Sequence, residues 1–322
     1  MDYSSLAKLL QEKIKNLTVH LDHPLALYTT LKIGGPADLL IESKNPEQFI
    51  SIIKLLHQQK QPQPTILGHG SNVLISDTGI RGLVIQNSGD DIGINNSKVT
   101  LSSGTSLPHA IDFTLNKNLV GLEVFAYIPA TIGGAVHSNI HGFDKSNFSQ
   151  FIDSIEVFNY HTGKTETLKS SDFNWSYDLS PFQDNFKNPA TAGPHLIITS
   201  VTLSLKKGDG QLAKTKAEEI KAIKKQTQPF LSAGCTFKNL PAEAGPNQSA
   251  GLLIDQLGLK GHRQGNLQIS PLHANFIVNT RPATAGAATA SDYIKLTEFI
   301  RQKVKDKYNI NLEFEIKLLG KF

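Results

Sequence analysis

The chain has 322 residues, 39% apolar and 19% charged, which suffices for packed cores and sets an expectation of two or three domains. A net charge of +4 and a pI near 8.9 make it mildly basic. The densest basic run, Lys214 to Lys225, alternates with Glu218, Glu219 and alanines, so it reads as a solvated helix face rather than a nucleic-acid patch. The single cysteine, Cys235, excludes an internal disulfide and a cysteine-built metal site.

The opening MDYSSLAKLLQEKIKNL, within residues 1–20, predicts an amphipathic helix with Leu6, Leu9, Leu10 and Ile14 on one side. It lacks the basic start and long apolar block of a signal peptide. No apolar run approaches the ~20 residues of a membrane span, so the cytoplasm is the expected location, with neither membrane nor nucleic acid as partner. Next come ADLLIES, a helix from about Pro46 to Gln59, PTILGHGSNVLIS and GLVIQN, an alternation that predicts an α/β unit. KVTLSSG and GLEVFAYIPATIGGAV continue it. SIEVFNY, KTETLKS and LIITSVTLSLKK then read as antiparallel strands, with a turn at His161–Gly163.

Composition shifts near Lys206, which places a domain boundary there, between 21–206 and 207–322. Gln211–Thr227 is charged and Ala-rich, hence helical. SAGLLIDQLGL predicts a helix, LQISPLHANFIVN a strand or strand pair, and Ser291–Tyr308 an amphipathic helix. NINLEFEIKLL alternates apolar and charged residues, which predicts a terminal strand with one buried face. Both domains remain open as its packing partner.

Four segments place glycines beside small hydroxyl or amide residues: Thr29-Thr30-Leu31-Lys32-Ile33-Gly34-Gly35-Pro36, Leu67-Gly68-His69-Gly70-Ser71-Asn72, Ile128-Pro129-Ala130-Thr131-Ile132-Gly133-Gly134-Ala135, and Ser232-Ala233-Gly234-Cys235-Thr236-Phe237-Lys238-Asn239. Glycine lets backbone N–H groups approach a ligand closely, which a diphosphate requires. None fits a GxGxxG or P-loop fingerprint, and each alone reads equally as a tight turn. Three such turns within the first 140 residues suggest a large phosphate-containing ligand wrapped by several loops.

In these segments the chain resembles the UDP-N-acetylenolpyruvoylglucosamine reductase family. The segments match that family's TT-x-x-IGGPAD, LGxGSN, IPxxxGGAV and SAG[SC]-x-FKN motifs in order. AGLLIDQLGLKG, HANFIVN and LEFEIKLLG match three further landmarks, so the resemblance spans roughly residues 20–320. It implies an α+β protein: a two-lobed FAD-binding module of the vanillyl-alcohol-oxidase (PCMH) type, followed by a smaller α/β substrate-binding domain. It also implies FAD and NADPH as cofactors, a UDP-sugar enolpyruvyl ether as substrate, and a monomer. Hydride passes from NADPH to FAD and on to the enolpyruvyl methylene carbon, and the adjacent carbon is protonated.

Residue roles follow from the same resemblance. FAD contacts fall to Thr30, Ile33, Gly34, Gly35, Gly68, Gly70, Ser71, Asn72, Pro129, Thr131, Ile132, Gly133, Gly134 and Ala135. Lys238, Asn239, His273 and Asn275 fall to the substrate. Cys235 stands where the family has its proton donor, serine or cysteine. A thiol of pKa ~8.5 is mostly protonated at neutral pH and more acidic than serine. Without the motif, a lone cysteine would read as a small buried hydrophobe. Glu315 stands at the second carboxylate of the family's LEPE, with Phe314 in place of the proline. In a strand it would share a face with Glu313. Tyr177 remains a hydrogen-bond donor near the substrate. The next residue departs from the family's Tyr-Arg-x-Ser: Asp178 inverts the charge that would hold a substrate carboxylate. Lys187 and Lys238 are the candidate replacement cations. The short Pro/Gly/Ala segment between Phe182 and Leu196 matches the shorter family type, without a tyrosine-bearing loop over the substrate. Two alternatives stay open: another flavoprotein of the same superfamily, against which SAGCTFKN and LEFE weigh, and a relative that lost activity with the arginine.

Overall fold

A computed structural model describes residues 2–183, 193–240, 249–282 and 288–322. The chain divides into two compact units, neither contiguous in sequence. The first is Met1–Leu21, Leu39–His69 and Gly82–Ala222; the second is Asp22–Asp38, Gly70–Arg81 and Ile223–Phe322.

In the first unit one lobe is built on a four-stranded sheet in the order Thr18–Pro24, Pro36–Ser43, Ile80–Asn87, Thr65–Leu67. Two helices share its core. Tyr3–Lys13 is capped by Asp2, which accepts from the Ser4 N–H at 3.0 Å, and buries Leu6 and Leu10 one turn apart. Pro46–Gln58 has proline in its first turn and the Asn45 side chain accepting from the Gln48 N–H at 2.8 Å. Its Phe49, Ile52, Ile53 and Leu56 form one apolar stripe against Leu39, Ile41, Leu83 and Ile85.

The other lobe is a five-stranded antiparallel sheet in the order Lys164–Lys169, Ile152–Asn159, Leu196–Ser204, Lys98–Ser102, Ile92–Asn95. The expected turn at its tip is present: Gly163 has φ +71°, and its N–H returns to the Asn159 carbonyl at 2.8 Å. Helices Leu107–Asn116 and Ile132–Ser138 join its core. The α+β class and the two lobes implied by the resemblance are the observed ones.

The composition shift near Lys206 precedes the helix Gly210–Thr227, and the first compact unit runs on to Ala222. Within Gly210–Thr227, Ala213, Ala217 and Ile220 bury themselves in the core of the first unit. Small apolar residues at four- and three-residue spacing make a narrow stripe, and the exposed lysines dominate the composition without deciding where the stripe packs.

The second unit joins helices Ala250–Gln256 and Ala290–Tyr308 to a three-stranded antiparallel sheet, Arg263–Gln264, Leu267–Ile269 and Ile277–Asn279. Its core includes Leu31, Ile33 and Leu74 from the early part of the chain beside Phe237, Tyr293 and Leu312. The early segment is also held at a helix N-terminus. The Asp77 carboxylate accepts from the N–H groups of Ala290 and Ser291 at 2.7 and 2.9 Å.

The terminal strand is shorter than its alternation predicts. Only Lys317–Leu319 is strand, pairing in parallel with Val73–Ile75, and both belong to the second unit. Upstream the chain makes an isolated bridge at Phe314 and bends at Glu315 and Ile316. The two-residue period survives in the burial, since Leu312, Phe314 and Ile316 pack into one core and Glu313 and Glu315 fall between them. Glu313 is exposed and Glu315 half-buried. Among the described residues, no helix is long and apolar enough to cross a membrane.

Candidate active site

The SAGCTFKN segment is fixed by backbone bonds to two distant stretches of the second unit. The Glu315 N–H donates to the Thr236 carbonyl at 3.0 Å and the Lys238 N–H to the Glu313 carbonyl at 2.9 Å, flanking an antiparallel bridge between Phe237 and Phe314. The rings of Phe237 and Phe314 stack at 5.6 Å, and the Arg301 guanidinium lies 5.7 Å from the Phe314 centroid. Phe314, a departure from the family pattern, is thus half of the clasp that brings Cys235 and Glu315 together. From the other side the Thr236 N–H donates to the Asn275 carbonyl at 2.7 Å, and the Thr236 hydroxyl meets the buried Tyr293 hydroxyl at 2.9 Å.

This packing sets the electrostatics of the thiol. Burial pushes the Cys235 pKa well above the usual thiol range, and the nearby Glu315 carboxylate pushes it further; the Lys224 charge and the polar Asn275 side chain oppose them. The thiol therefore keeps its proton at neutral pH. Lys224 also bears on His273, whose pKa is lowered first by burial and then by this lysine. The His273 Nδ1 accepts from the Asn275 N–H at 3.2 Å, so His273 is a neutral ring with its proton on Nε2. Lys224 was not singled out in sequence because it sits in a charged helical run that reads as solvated. Its position in the last turn, just upstream of the cysteine segment, was the available signal.

Thr30, Ile33, Gly34, Gly35, Gly70, Ser71 and Asn72 join Cys235, Lys238, Asn239, His273, Asn275 and Glu315 in the second unit; Gly68, Pro129, Thr131, Ile132, Gly133, Gly134, Ala135 and Tyr177 lie in the first. In the second unit Thr30 ties three loops: its N–H donates to the Gly70 carbonyl at 3.1 Å and its hydroxyl to the Ser232 carbonyl at 2.6 Å. Gly70 has φ +60°, and a Cβ there would lie 2.2 Å from the Tyr28 carbonyl oxygen, so glycine is required by packing. Among the described residues the N–H groups of Gly70, Ser71 and Asn72 have no protein acceptor, which fits the donor set a diphosphate needs.

The third segment differs. The N–H of Ile132 donates to Thr105, that of Gly133 to Ser103 and that of Ala135 to Thr131, while the Thr131 hydroxyl accepts from the Gly134 N–H at 3.2 Å. Two of those donors tie the segment to the loop at Ser103 and Thr105, and two start the helix. The Ile33, Ile132 and Ala135 side chains lie in cores. Gly68 is glycine because a Cβ would lie 2.4 Å from the Thr131 hydroxyl.

Between Gly68 and Gly70, His69 hydrogen-bonds the Pro129 carbonyl, and burial lowers its pKa. His69 links the second and third glycine segments, a role that glycine spacing alone does not signal. His195, stacked on His161 at 4.4 Å, is lowered by burial and then by His161. All three lowered histidines favour the neutral ring in the folded state, so their stabilisation is present above pH 6.5 and is lost as pH falls through the folded values. The melting temperature should drop from about pH 7 to about pH 5, and His69→Gln should shrink that drop. A melting temperature independent of pH over this range would contradict the assignment.

Tyr177 and Asp178 are the middle residues of a tight turn closed by mutual bonds between Ser176 and Leu179 at 3.4 and 3.2 Å. Tyr177 is 39% exposed and Asp178 is buried with φ +52°. Asn139 and the His137 carbonyl anchor the turn: Asn139 donates to the Ser176 carbonyl at 2.7 Å, and Ser180 and Gln183 donate to His137 at 2.6 and 2.7 Å. Lys187 and most of the segment after Phe182 lie outside the described residues. Among the described residues, no cluster of three His, Cys, Asp or Glu side chains could hold a metal ion.

Comparison with known proteins agrees with this layout. A family model described as UDP-N-acetylenolpyruvoylglucosamine reductase, C-terminal domain, matches residues 225–319, and one described as FAD binding domain matches residues 37–169. The UDP-N-acetylenolpyruvoylglucosamine reductase of Listeria monocytogenes is 35% identical over 314 residues, covering 97% of this chain and 98% of the relative. That of Bacillus pumilus is 36% identical over 305 residues, covering 93% of each. The crystal structure of UDP-N-acetylenolpyruvylglucosamine reductase from Thermus caldophilus superposes with a TM-score of 0.73 at 31% identity, covering 95% of this chain and 99% of that one. The chain belongs to the UDP-N-acetylenolpyruvoylglucosamine reductase family.

Proposed function

We propose that the chain reduces the enolpyruvyl ether of UDP-N-acetylglucosamine to UDP-N-acetylmuramate in the synthesis of peptidoglycan precursors. FAD, when bound, would supply the hydride chemistry between NADPH and the enolpyruvyl methylene carbon. Cys235 gives the adjacent carbon its proton, and Glu315, whose carboxylate helps keep the thiol in its proton-bearing form, is assigned to act with it. The observation that carries this reading is the clasp at Phe237 and Phe314, which holds a protonated thiol within the field of a carboxylate.

The open N–H groups of Gly70, Ser71 and Asn72 are assigned to the FAD diphosphate. Thr30, Gly34, Gly35, Gly68, Pro129, Thr131, Gly133 and Gly134 are assigned to the loops that shape its seat. Ile33, Ile132 and Ala135 support those loops from the cores. Lys238, Asn239 and His273 are assigned to the UDP-sugar, and Tyr177 to a hydrogen bond near the reacting group. The domain reading of an N-terminal helix, an FAD-binding part and a substrate-binding part accompanies this proposal. So do a cytoplasmic location and a monomer, which sedimentation of the purified protein would test.

The purified protein should be yellow, and acid precipitation should release all its flavin as FAD. Under anaerobic conditions NADPH should bleach the flavin and the UDP-enolpyruvyl sugar should restore its colour. FMN in the supernatant, or flavin left in the pellet, would overturn the cofactor assignment. Asp178 favours one second reading, a relative without turnover; bleaching by NADPH without recovery on adding the sugar would establish it.

A further inference from the structure

Asn275 was expected to face the substrate, and its surroundings leave little room for that. The side chain is 2% exposed. Its Oδ1 accepts from the Phe237 N–H at 3.0 Å, and its Nδ2 donates to the Phe237 carbonyl at 2.8 Å. This two-point clamp fixes the amide orientation, because the oxygen must face the N–H. One amide hydrogen and one oxygen lone pair are thereby spent on the backbone of a single residue. The Asn275 carbonyl adds a bond from the Thr236 N–H at 2.7 Å.

We propose that Asn275 is a positioning residue that clamps the Cys235–Phe237 backbone and aims the thiol, rather than a ligand of the substrate. The aim matters because Gly234, with φ +81°, gives the chain before Cys235 a conformation that side chains do not enforce. On the other flank the Thr236 carbonyl receives the Glu315 N–H, so a clamp at Phe237 sets thiol and carboxylate relative to each other. Cys235 donates the proton; Asn275 determines where the donor stands.

The proposal rests on the reductase reading, and the test separates the two. In the FAD-loaded enzyme Asn275→Ala should slow reoxidation of the flavin by the UDP-enolpyruvyl sugar ~10–100-fold, the loss of two buried hydrogen bonds. Flavin reduction by NADPH and affinity for the sugar should be unchanged. In a Cys235→Ala background the same substitution should cost nothing further, because a residue acting only through the thiol has nothing left to position. Multiplying losses, or weakened sugar binding, would overturn the proposal. Iodoacetamide labelling of the single cysteine needs no turnover. It should run ~10-fold faster in Asn275→Ala, and in Asn275→Leu, which keeps the shape without the amide, as the segment opens locally. Equal labelling in both variants and parent would overturn the clamp whatever the substrate. A parent whose flavin the sugar does not reoxidise would overturn the reductase reading alone.

Discussion

Cys235→Ala should slow reoxidation of the reduced flavin by the UDP-enolpyruvyl sugar by ~10²–10⁴, the usual cost of losing a positioned acid. Bleaching by NADPH should be untouched, since hydride transfer to FAD needs no proton from this thiol. Cys235→Ser should restore much of the rate, because serine offers a hydroxyl from the same backbone position. The pH profile gives an independent check. The thiol is pushed above its ordinary range by burial and then by Glu315. The acid form is the working form, so the parent rate should not fall through the ordinary thiol range near pH 9. Glu315→Gln removes the second cause and should move the alkaline fall to lower pH. Equal losses in both half-reactions of Cys235→Ala would mark the cysteine as structural.

Asp178→Arg should destabilise the protein and bring no gain in turnover. A family arginine at this position suggested that restoring it could help. The turn argues otherwise: Asp178 is buried at φ +52°, a conformation that aspartate tolerates and longer side chains resist. Left-handed strain adds ~1–2 kcal/mol to the cost of burying a new cation, so a lowered melting temperature is expected. Asp178→Asn, which suits the turn, should be mild. Beside Lys238 and Lys187, Lys224 is a further candidate for the cation that compensates for the missing arginine, because its charge bears on both Cys235 and His273. Lys224→Met should slow reoxidation by the sugar ~10-fold or more, as loss of one electrostatic contact to developing charge would. A faster Asp178→Arg enzyme with an unaffected Lys224→Met would reverse this assignment.

Sequence by itself determined most of the secondary structure and named the candidate residues for the chemistry. The helices at Pro46–Gln58, Ala250–Gln256 and Ala290–Tyr308 were legible because cap residues and apolar spacing act locally. Cys235 and Glu315 were legible through short motifs whose residue types are read without their neighbours. The glycine segments were legible as turns, but not the reason for each glycine. At Gly68 and Gly70 that reason is a side chain or carbonyl from a distant part of the chain.

Only the tertiary structure decided how those pieces are grouped. Residues 22–38 and 70–81 lie early in the chain yet pack with its C-terminal hundred residues, through Leu31, Ile33 and Leu74 in the core and Asp77 at a helix end. The helix after Lys206 packs the other way, into the first unit. The bend at Glu315, the Phe237–Phe314 clasp and the Asn275 clamp are likewise long-range. Hydrophobic burial is non-directional, so a local apolar stripe specifies that it will be covered but not by what. The partner is chosen by shape and hydrogen-bond satisfaction across the whole chain, and that choice places a proton-bearing thiol beside a carboxylate.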